Sequence, residues 1–265
     1  MEMLGVVVNY KTYGDLKTFT NSWAEYVETE DRWLAVADVE AHATTVQQIK
    51  EYEFDYWKTF GDNIGYARAA NFVIRNAREC MDSDPAVIAI FNADTRFIDR
   101  GCVDSCIDLL MSNDDVAVVG PMQRDSAGKI THAGIVGTNS KPIHRGWMSN
   151  YPDQYRDITD AVSVSGSAYF IKTSVWDEMT ACPLYIQAAP SALGAFLPTQ
   201  HYYEETFCSY HVREHGYRVL YNGEAEMIHE WHKASEVNGE VDVKIMPESK
   251  KLFEHACNLH RIEHD

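Results

Sequence analysis

Basic residues are scarce in this chain. Its 265 residues include 23 Lys and Arg against 40 Asp and Glu, which gives a formal net charge of −17. A chain with this balance repels the phosphate backbone of nucleic acids, and no dense run of Lys or Arg offsets the repulsion. The composition therefore disfavours broad contact with nucleic acid and indicates a solvated acidic surface.

Long apolar runs and paired cysteines are also missing. No apolar stretch approaches the roughly 20 residues that cross a bilayer, and the first residues lack the basic region of a signal peptide. None of the six cysteines forms a CxxC pair, which is typical of reduced thiols in a cytoplasmic protein. His255, His260 and His264, near the end of the chain, match no standard zinc-finger spacing, so no zinc site is predicted there.

The first 120 residues alternate between short apolar runs and amphipathic segments. The apolar runs predict strands at 4–9, 32–39, 56–59 and 87–91, and helical spacing predicts helices at 15–29, 44–53, 63–82 and 101–112. Alternation of strands and helices at this short spacing is typical of parallel βαβ units. We therefore predict an α/β fold with a mostly parallel central sheet flanked by helices.

The pattern becomes mixed near residue 120. The sequence predicts further strands at 116–120, 130–136, 162–171, 218–221 and 226–229, a loop at 191–199, and helices at 206–215 and 248–265. Turns rich in Gly, Ser, Asn and Pro separate these elements, and no obvious linker interrupts them. We expect one domain over 1–235 and a helical tail over 236–265.

An acidic residue follows the strongest apolar run. Asn92-Ala93-Asp94 comes directly after the strand predicted at 87–91. Open α/β sheets hold ligands at the carboxyl ends of their strands, and a carboxylate there suits a hard divalent cation that can bind a diphosphate. An ordinary Asx-turn is the alternative interpretation of the same three residues.

Eight segments taken in order resemble the family 2 glycosyltransferases of the GT-A fold, and in particular their rhamnosyltransferase-like branch. They are VVVNYKT at 6–12, NIGYARAAN at 63–71, FNAD at 91–94, THAG at 131–134, VSGSAY at 164–169, YEET at 203–206, GYRVLY at 216–221 and IHEWHKAS at 228–235. No single segment is decisive, but their order and spacing together are specific. The resemblance spans about residues 4–235 and implies a nucleotide-binding half over 1–120 and an acceptor half over 121–235.

The resemblance implies a site for a nucleotide-diphosphate sugar, with UDP- and dTDP-sugars as the leading donors. It assigns Asp94 and His229 to a Mn²⁺ or Mg²⁺ ion, and Asp38 to the nucleotide base. The residues that it places around the nucleotide and diphosphate are Asn9, Tyr10, Thr12, Asp38, Asn63, Gly65, Arg68, Asn71, Asn92 and Arg145. This chain has Asp38-Val39-Glu40 where the family usually has Asp-Asn or Asp-Asp, which leaves the identity of the base open.

The adjacent acids Glu204 and Glu205 are the candidate catalytic residues. By the resemblance, Glu205 aligns with the general base of an inverting transfer, which deprotonates the acceptor hydroxyl, and Glu204 is its neighbour. Phe207 replaces a second acid of the family signature. A pair of solvated acids that cap the helix at 206–215 is the alternative interpretation.

The sequence leaves three alternatives for function. The chain is expected to be a metal-dependent inverting glycosyltransferase for hexose or rhamnose, but a nucleotidyltransferase shares the fold and the diphosphate chemistry. A silent sugar- or nucleotide-binding module is the third. The poor glycine-rich loop after the first strand argues against the nucleotidyltransferase, and the acids at 94 and 205 argue against the silent module. The acceptor stays open among glycans, lipids, proteins and small molecules, and so does the oligomeric state.

Overall fold

A computed structural model describes residues 2–41, 46–47, 49–230 and 241–264, except the side chains of 241–244. The helix predicted at 44–53 and the segment IHEWHKAS at 228–235 lie partly outside the described residues. Residue 265 of the helix predicted at 248–265 also lies outside them, and the other predicted strands and helices fall within them.

The first four strands form the parallel part of the central sheet. They are β1 (Met3–Tyr10), β2 (Arg32–Val39), β3 (Tyr56–Thr59) and β4 (Val87–Asn92). They lie in the order β3-β2-β1-β4 with every neighbouring pair parallel. The apolar runs of β1, β2 and β4 are almost continuous because helices cover both faces of this sheet.

Three helices of the first half cover the sheet. They are α1 (Tyr13–Tyr26), α2 (Tyr66–Arg78) and α3 (Gly101–Met111). One face packs against α2, while α1 and α3 pack against the other, so two separate apolar cores form. Gly5 is required on the second face, because a Cβ there would collide with the indole of Trp23.

The second half extends the same sheet with mixed strand directions. Its strands are β5 (Thr95–Phe97), β6 (Val116–Arg124), β7 (Ile130–His132), β8 (Ile135–Thr138), β9 (Lys141–His144), β10 (Ile158–Asp160), β11 (Ala168–Lys172) and β12 (Arg218–His229). The order across the sheet is β10-β12-β6-β11-β4-β1-β2-β3, with β5 beside β12, β7 beside β6, and β8–β9 in a separate hairpin. Only β11 and β10 oppose the common direction of this path, so the predicted α/β fold with a mostly parallel sheet is confirmed.

Four predicted strands differ from the observed ones. The run at 130–136 is broken at Gly134, whose φ of +85° ends β7 before β8 begins. The run at 162–171 is a strand only over Ala168–Lys172, because its first part forms turns around Gly166. The two runs at 218–221 and 226–229 are one strand, β12, which keeps its pairing with β6 through an irregularity between Asn222 and Glu226.

Four more helices complete the described fold. They are α4 (Thr173–Ala181), α5 (Pro183–Ala188), α6 (Glu204–Glu214) and α7 (Val241–His260), and a single 3₁₀ turn covers Pro152–Tyr155. The tail helix α7 packs on α6 through Phe253, whose ring centroid lies 4.9 Å from that of Tyr203 and 6.1 Å from that of Tyr210. None of the helices in the described ranges is long and apolar enough to cross a membrane.

Candidate active site

The candidate site is a cavity of about 540 Å³ at the carboxyl ends of the parallel strands. The end of β1 contributes Tyr10 and Thr12, and the end of β4 contributes Asn92 and Asp94. The end of β12 and the start of α6 close the opposite wall. This is the edge at which open α/β sheets place their ligands.

Asp94 and His229 meet in this cavity because β5 pairs with β12. His229 lies opposite Thr95 in that antiparallel pair, and the N–H of Glu230 donates to the carbonyl of Asp94 over 3.2 Å. The ring Nε2 of His229 lies 3.4 Å from Oδ1 of Asp94, with 7% and 8% of the two side chains exposed. The structure thus brings together the two residues that were predicted as metal ligands.

The ring of His229 is held from its other side. Its Nδ1 donates to Oε1 of Gln123 over 3.0 Å, and the hydroxyl of Ser167 donates to the same oxygen over 2.7 Å. Because Nδ1 carries the proton, the lone pair of Nε2 faces Asp94, which is the tautomer of a metal-ligating histidine. A carboxylate oxygen and an imidazole nitrogen in this arrangement fit Mn²⁺, and the oxygen alone would suit Mg²⁺.

The acid pair stands at the N-terminus of α6. Tyr202 and Tyr203 both have left-handed backbone conformations, with φ of +69° and +70°, and they turn the chain so that Glu204 and Glu205 enter the cavity wall. Glu204 is only 5% exposed, and its Oε2 accepts a hydrogen bond of 3.0 Å from the hydroxyl of Thr199. Glu204 is therefore enclosed by protein, whereas Glu205 is half-buried and faces the cavity.

The surroundings of Glu204 and Glu205 shift the pKa values of the two carboxyl groups to different extents. Burial and the adjacent charge of Glu205 raise the pKa of Glu204 to about 8. Burial also raises the pKa of Glu205, but backbone N–H groups, including that of Gly166, hydrogen-bond its carboxylate and oppose the rise. We infer that near neutral pH Glu204 holds the proton and Glu205 is ionised, so Glu205 is the group able to accept one.

One turn links the acid pair to the metal ligands. The hydroxyl of Tyr66 donates to the carbonyl of Gly166 over 2.8 Å, and a Cβ at Gly166 would lie 3.3 Å from the carboxyl carbon of Glu205. Burial, and then the charges of Glu204, Glu205 and Asp94, raise the pKa of Tyr66 well above its ordinary value. Tyr66 and all three of these carboxylates line the same cavity.

The predicted nucleotide residues of β1 and β2 form a hydrogen-bonded chain. Asp38 is fully buried and accepts from Nδ2 of Asn9 over 2.8 Å and from the hydroxyl of Tyr13 over 3.2 Å. Thr12 donates to Oδ1 of Asn9 over 3.1 Å. Thr12 and Tyr10 line the cavity, so Asp38 lies behind the wall that they form.

Three of the four predicted residues in the segment 63–71 lie away from the cavity wall. Of the segment 63–71, Asn63 lines the cavity, but Arg68 is exposed and its guanidinium lies 3.4 Å from the carbonyl of Ile64. Asn71 is buried and its side-chain amide donates to the carbonyls of Gly194 and Phe196. Gly65 has a φ of +88°, and a Cβ there would lie 2.7 Å from the backbone of Gln200, so its role in the structure is close packing between two loops.

Arg145 lies outside the cavity lining. Its guanidinium donates to Oδ1 of Asp157 over 2.6 Å and lies over the rings of Tyr155 and Tyr221, at 5.2 and 5.6 Å from their centroids. Its neighbour His144 does line the cavity. The structure thus gives Arg145 protein partners for its charge.

Solved structures similar to this chain are glycosyltransferases. S. aureus TarS residues 1–349 is 10% identical at a TM-score of 0.55, over 98% of this chain and 72% of that one. GalNAc-T7 with UDP, GalNAc and Mn²⁺ is 12% identical at 0.59, over 100% of this chain and 55% of that one. The mannosyltransferase PcManGT from Pyrobaculum calidifontis, with GDP-Man and Mn²⁺, is 10% identical at 0.59, over 97% and 73%.

This chain has the GT-A fold. The fold predicted from the eight sequence segments is therefore confirmed at the level of architecture. No protein-family model and no curated protein sequence matches the chain. At identities of 10–12%, the similarity to solved structures establishes the GT-A fold. The activity is inferred from the residues of the site.

Sequence reasoning missed several residues of the GT-A cavity, and His132 is the most buried of the titratable ones. Its Nε2 accepts from the N–H groups of Gly134 and Ser165, both at 3.3 Å. Burial, with His144 and His229 nearby, lowers the pKa of His132 to about 3, so the ring is neutral. The segment THAG contained the signal, but the position of His132 depends on the pairing of β7 with β6, which no local pattern reveals.

Proposed function

We propose that this chain is a metal-dependent, inverting glycosyltransferase that moves a sugar from a nucleotide-diphosphate donor to a hydroxyl acceptor. One observation carries the proposal: a single cavity contains the Asp94–His229 pair and the acids Glu204 and Glu205. The first pair supplies ligands for a divalent cation, and the second supplies a base. Metal-dependent sugar transfer from a diphosphate uses these two functions in one site.

The charge of the cavity supports metal dependence. Its described wall residues include carboxylates and neutral side chains but neither Lys nor Arg. A donor diphosphate placed there needs positive charge, and Asp94 and His229 would hold the Mn²⁺ or Mg²⁺ that supplies it. The bound ion would neutralise charge on the diphosphate as it leaves. GalNAc-T7 and PcManGT, which share the fold, were both solved with Mn²⁺.

The end of β1 supports a place for the nucleoside. Tyr10, Thr12 and Asn63 line this part of the cavity, and Val39 adds an apolar patch against which a base can pack. The buried Asp38 fixes Asn9 and Tyr13 behind this wall. We assign Asp38 to base recognition through this network, with UDP and dTDP as the expected nucleotides, and Asn92 to the ribose–diphosphate side.

The remaining nucleotide residues of the sequence prediction are assigned supporting roles. Gly65 and Asn71 hold the loops around Gln200 and Gly194 in position beside the cavity. Arg68 and Arg145 lie nearer to solvent or to protein partners. In the proposed enzyme the last two contribute to the donor site only through a local rearrangement on binding.

The chemical step would proceed by a single displacement. The hydroxyl oxygen of the acceptor forms a bond to the anomeric carbon while the bond from that carbon to the diphosphate oxygen breaks. The acceptor proton passes to the carboxylate of Glu205, whose ionised form is favoured by hydrogen bonds from the backbone N–H groups around it. Because one displacement inverts the anomeric carbon, we propose inversion of configuration.

Aromatic side chains mark the acceptor side of the cavity. Trp147 and Tyr202 line it on the side of the second half of the chain, next to His201. Aromatic faces stack on the apolar faces of sugar rings, so we propose a glycan or another hydroxylated small molecule as the acceptor. The donor sugar is proposed to be a hexose or rhamnose, following the rhamnosyltransferase-like segments of the sequence.

A donor screen tests the proposal. Purified protein is incubated with UDP-, dTDP- and GDP-sugars, with and without Mn²⁺, and release of nucleoside diphosphate and transfer to simple sugars are measured. Metal-dependent release that Asp94→Ala abolishes and the exposed Asp82→Ala retains is the expected result. Release of pyrophosphate from a nucleotide triphosphate and sugar phosphate would instead identify a nucleotidyltransferase. Nucleotide binding with equal affinity in EDTA and in Mn²⁺ would reject the metal site.

A further inference from the structure

A second group of metal-ligating side chains lies at the opposite end of α6 from the acid pair. Cys182, His211 and His215 each place one ligand atom within 4.8 Å of the other two. Cys182 joins α4 to α5, while His211 and His215 lie at the end of α6. Ligand atoms of a tetrahedral zinc ion are roughly 3.3–3.6 Å apart, given its usual bond lengths. Small side-chain rotations would therefore bring the ligand atoms of Cys182, His211 and His215 to bonding distance of one ion.

The two histidines are placed on the same side of the helix. A spacing of four residues puts His211 and His215 one turn apart on one face, and their ring centroids lie 4.8 Å apart. This is the spacing with which helices present two imidazoles to a single zinc ion. The helix backbone fixes both residues before any metal binds.

His211 is buried without a polar partner. None of its surface is exposed, and among the described residues neither of its ring nitrogens has a hydrogen-bond partner. The same holds for Nε2 of His260 on α7, whose ring centroid lies 4.4 Å away. Buried polar atoms in proteins are nearly always paired, so two adjacent unpaired imidazoles indicate a missing ligand.

A carboxylate orients the third ligand. Nδ1 of His215 lies 2.9 Å from Oε1 of Glu178, and the hydroxyl of Tyr217 donates to Oε2 over 2.8 Å. These two bonds lower the pKa of Glu178 and keep it ionised. With Nδ1 engaged, Nε2 of His215 is the ligand atom, and a carboxylate behind a ligating histidine is the usual support of a zinc site.

We propose that Cys182, His211 and His215 bind one Zn²⁺ ion in a structural site that joins the α4–α5 junction to α6. Cys182 would lose its thiol proton to solvent as the bond from sulfur to zinc forms. A thiolate with two imidazoles selects zinc over the Mn²⁺ or Mg²⁺ that the oxygen ligand Asp94 favours. The fourth position is taken by His260, which would add α7 to the same cross-link, or by water.

Cobalt substitution tests this site in the full-length chain. The protein is stripped with EDTA and titrated with Co²⁺ in an Asp94→Ala background, which removes the other candidate metal site. One equivalent of Co²⁺ should produce a thiolate-to-cobalt charge-transfer band, because Cys182 is the thiol of the described cluster. Cys182→Ser should remove the band, whereas Cys80→Ser, at an exposed cysteine, should retain it.

Zinc affinity provides a second measurement that does not depend on spectra. Competition with a chromophoric chelator should show at least tenfold weaker zinc binding in Cys182→Ser and in His215→Gln, which changes an exposed residue. Zinc should also raise the melting temperature of the parent chain more than that of either variant. A loss of affinity in His260→Gln would identify the fourth ligand, and no loss would indicate water; both results keep the three-ligand site.

Two results would overturn the proposal. The first is the absence of a thiolate band and of any zinc binding by the folded parent chain. The second is stoichiometric zinc binding that Cys182→Ser and His215→Gln leave unchanged, which would indicate adventitious surface binding. In either case His211 would be a histidine packed between Tyr185 and Phe207, whose ring centroids lie 5.8 and 5.5 Å from its own.

Discussion

Gln123 and His229 are joined by a hydrogen bond of 3.0 Å that fixes which nitrogen of the histidine faces Asp94. Both residues are buried, and they lie on the neighbouring parallel strands β6 and β12. The amide oxygen of Gln123 can only accept, so it determines the tautomer of the ring. This relationship makes Gln123 a positioning residue of the proposed metal site.

The first prediction concerns this positioning residue. Gln123→Leu should weaken Mn²⁺ binding in the presence of UDP by about 10–100-fold, the usual effect of losing a partner behind a ligand. Gln123→Glu keeps an acceptor for Nδ1 and should retain most of the affinity. Calorimetry on both variants measures the difference, with the exposed Gln154→Leu as the control. Unchanged affinity in Gln123→Leu would show that His229 does not need this bond.

The second prediction concerns the proposed base. Glu205→Gln preserves the size of the side chain but removes the proton acceptor, so turnover should fall by about 10²–10⁴ while donor affinity stays within a few-fold. Initial rates of nucleoside diphosphate release with an acceptor measure the change. Glu214→Gln, an exposed acid at the end of the same helix, is the matched control. A product that keeps the anomeric configuration of the donor would reject the single displacement.

The third prediction concerns stability and pH. The pKa of Glu204 is raised in the folded chain to about 8, so the folded state binds its proton more tightly than the unfolded state does. That contribution to stability is complete below the unfolded pKa, near 4.5, and is lost as the pH rises through about 8. Glu204→Gln stays neutral throughout, so its melting temperature should fall less than that of the parent between pH 5 and 8 (about the window of these pKa values).

The pH experiment compares the melting temperature of Glu204→Gln with that of the parent chain at each pH. Other acids of this strongly acidic chain also change its stability with pH, and subtracting the two melting curves removes their common effect. Parallel curves for the parent and Glu204→Gln would show that Glu204 is not held protonated by the fold. A steeper fall of the melting temperature in Glu204→Gln would indicate that Glu204 is the ionised acid and that Glu205 holds the proton.

The fourth prediction concerns Asp38. Asp38→Ala leaves the buried amide of Asn9 and the hydroxyl of Tyr13 without this acceptor, and an unsatisfied buried group costs about 1–3 kcal/mol. We expect a lower melting temperature, weaker nucleotide binding and a reduced preference among UDP, dTDP and GDP. Asp38→Asn keeps one acceptor oxygen and should change the preference less. Unaltered affinity and preference in Asp38→Ala would exclude it from base recognition.

The parallel half of the fold was predictable because its signals are local. The strand Tyr56–Thr59 was predicted at its observed bounds, and Asp94 follows the apolar strand β4 as its sequence indicates. An uninterrupted apolar run indicates a buried strand, and the polar residue that follows it indicates where that strand ends. The GT-A fold then followed from the order of the short segments.

The second half was less predictable because its elements depend on distant partners. β12 keeps its direction through Asn222 and Glu226 because β6 pairs with it on both sides of the irregularity. Gln123 carries no local mark of function and reaches His229 only through the pairing of β6 with β12. His132 lies in a matching segment, but it reaches the cavity only through the pairing of β7 with β6. The cluster of Cys182 with His211 and His215 joins residues about 30 positions apart, and its spacing matches no standard motif.

The left-handed backbone conformations of Tyr202 and Tyr203 add a free-energy cost to the loop that carries the acid pair. A non-glycine residue in this region costs roughly 1–2 kcal/mol, so the loop that presents Glu204 is held against its own backbone preference by the packing around it. Glycine at either position would relieve that backbone cost, but at 203 it would also remove the ring that stacks on Phe253 of α7. The same change would release the carboxylates from a fixed approach. The stacking of Tyr203 on Phe253 therefore holds both the tail helix and the approach of the acid pair.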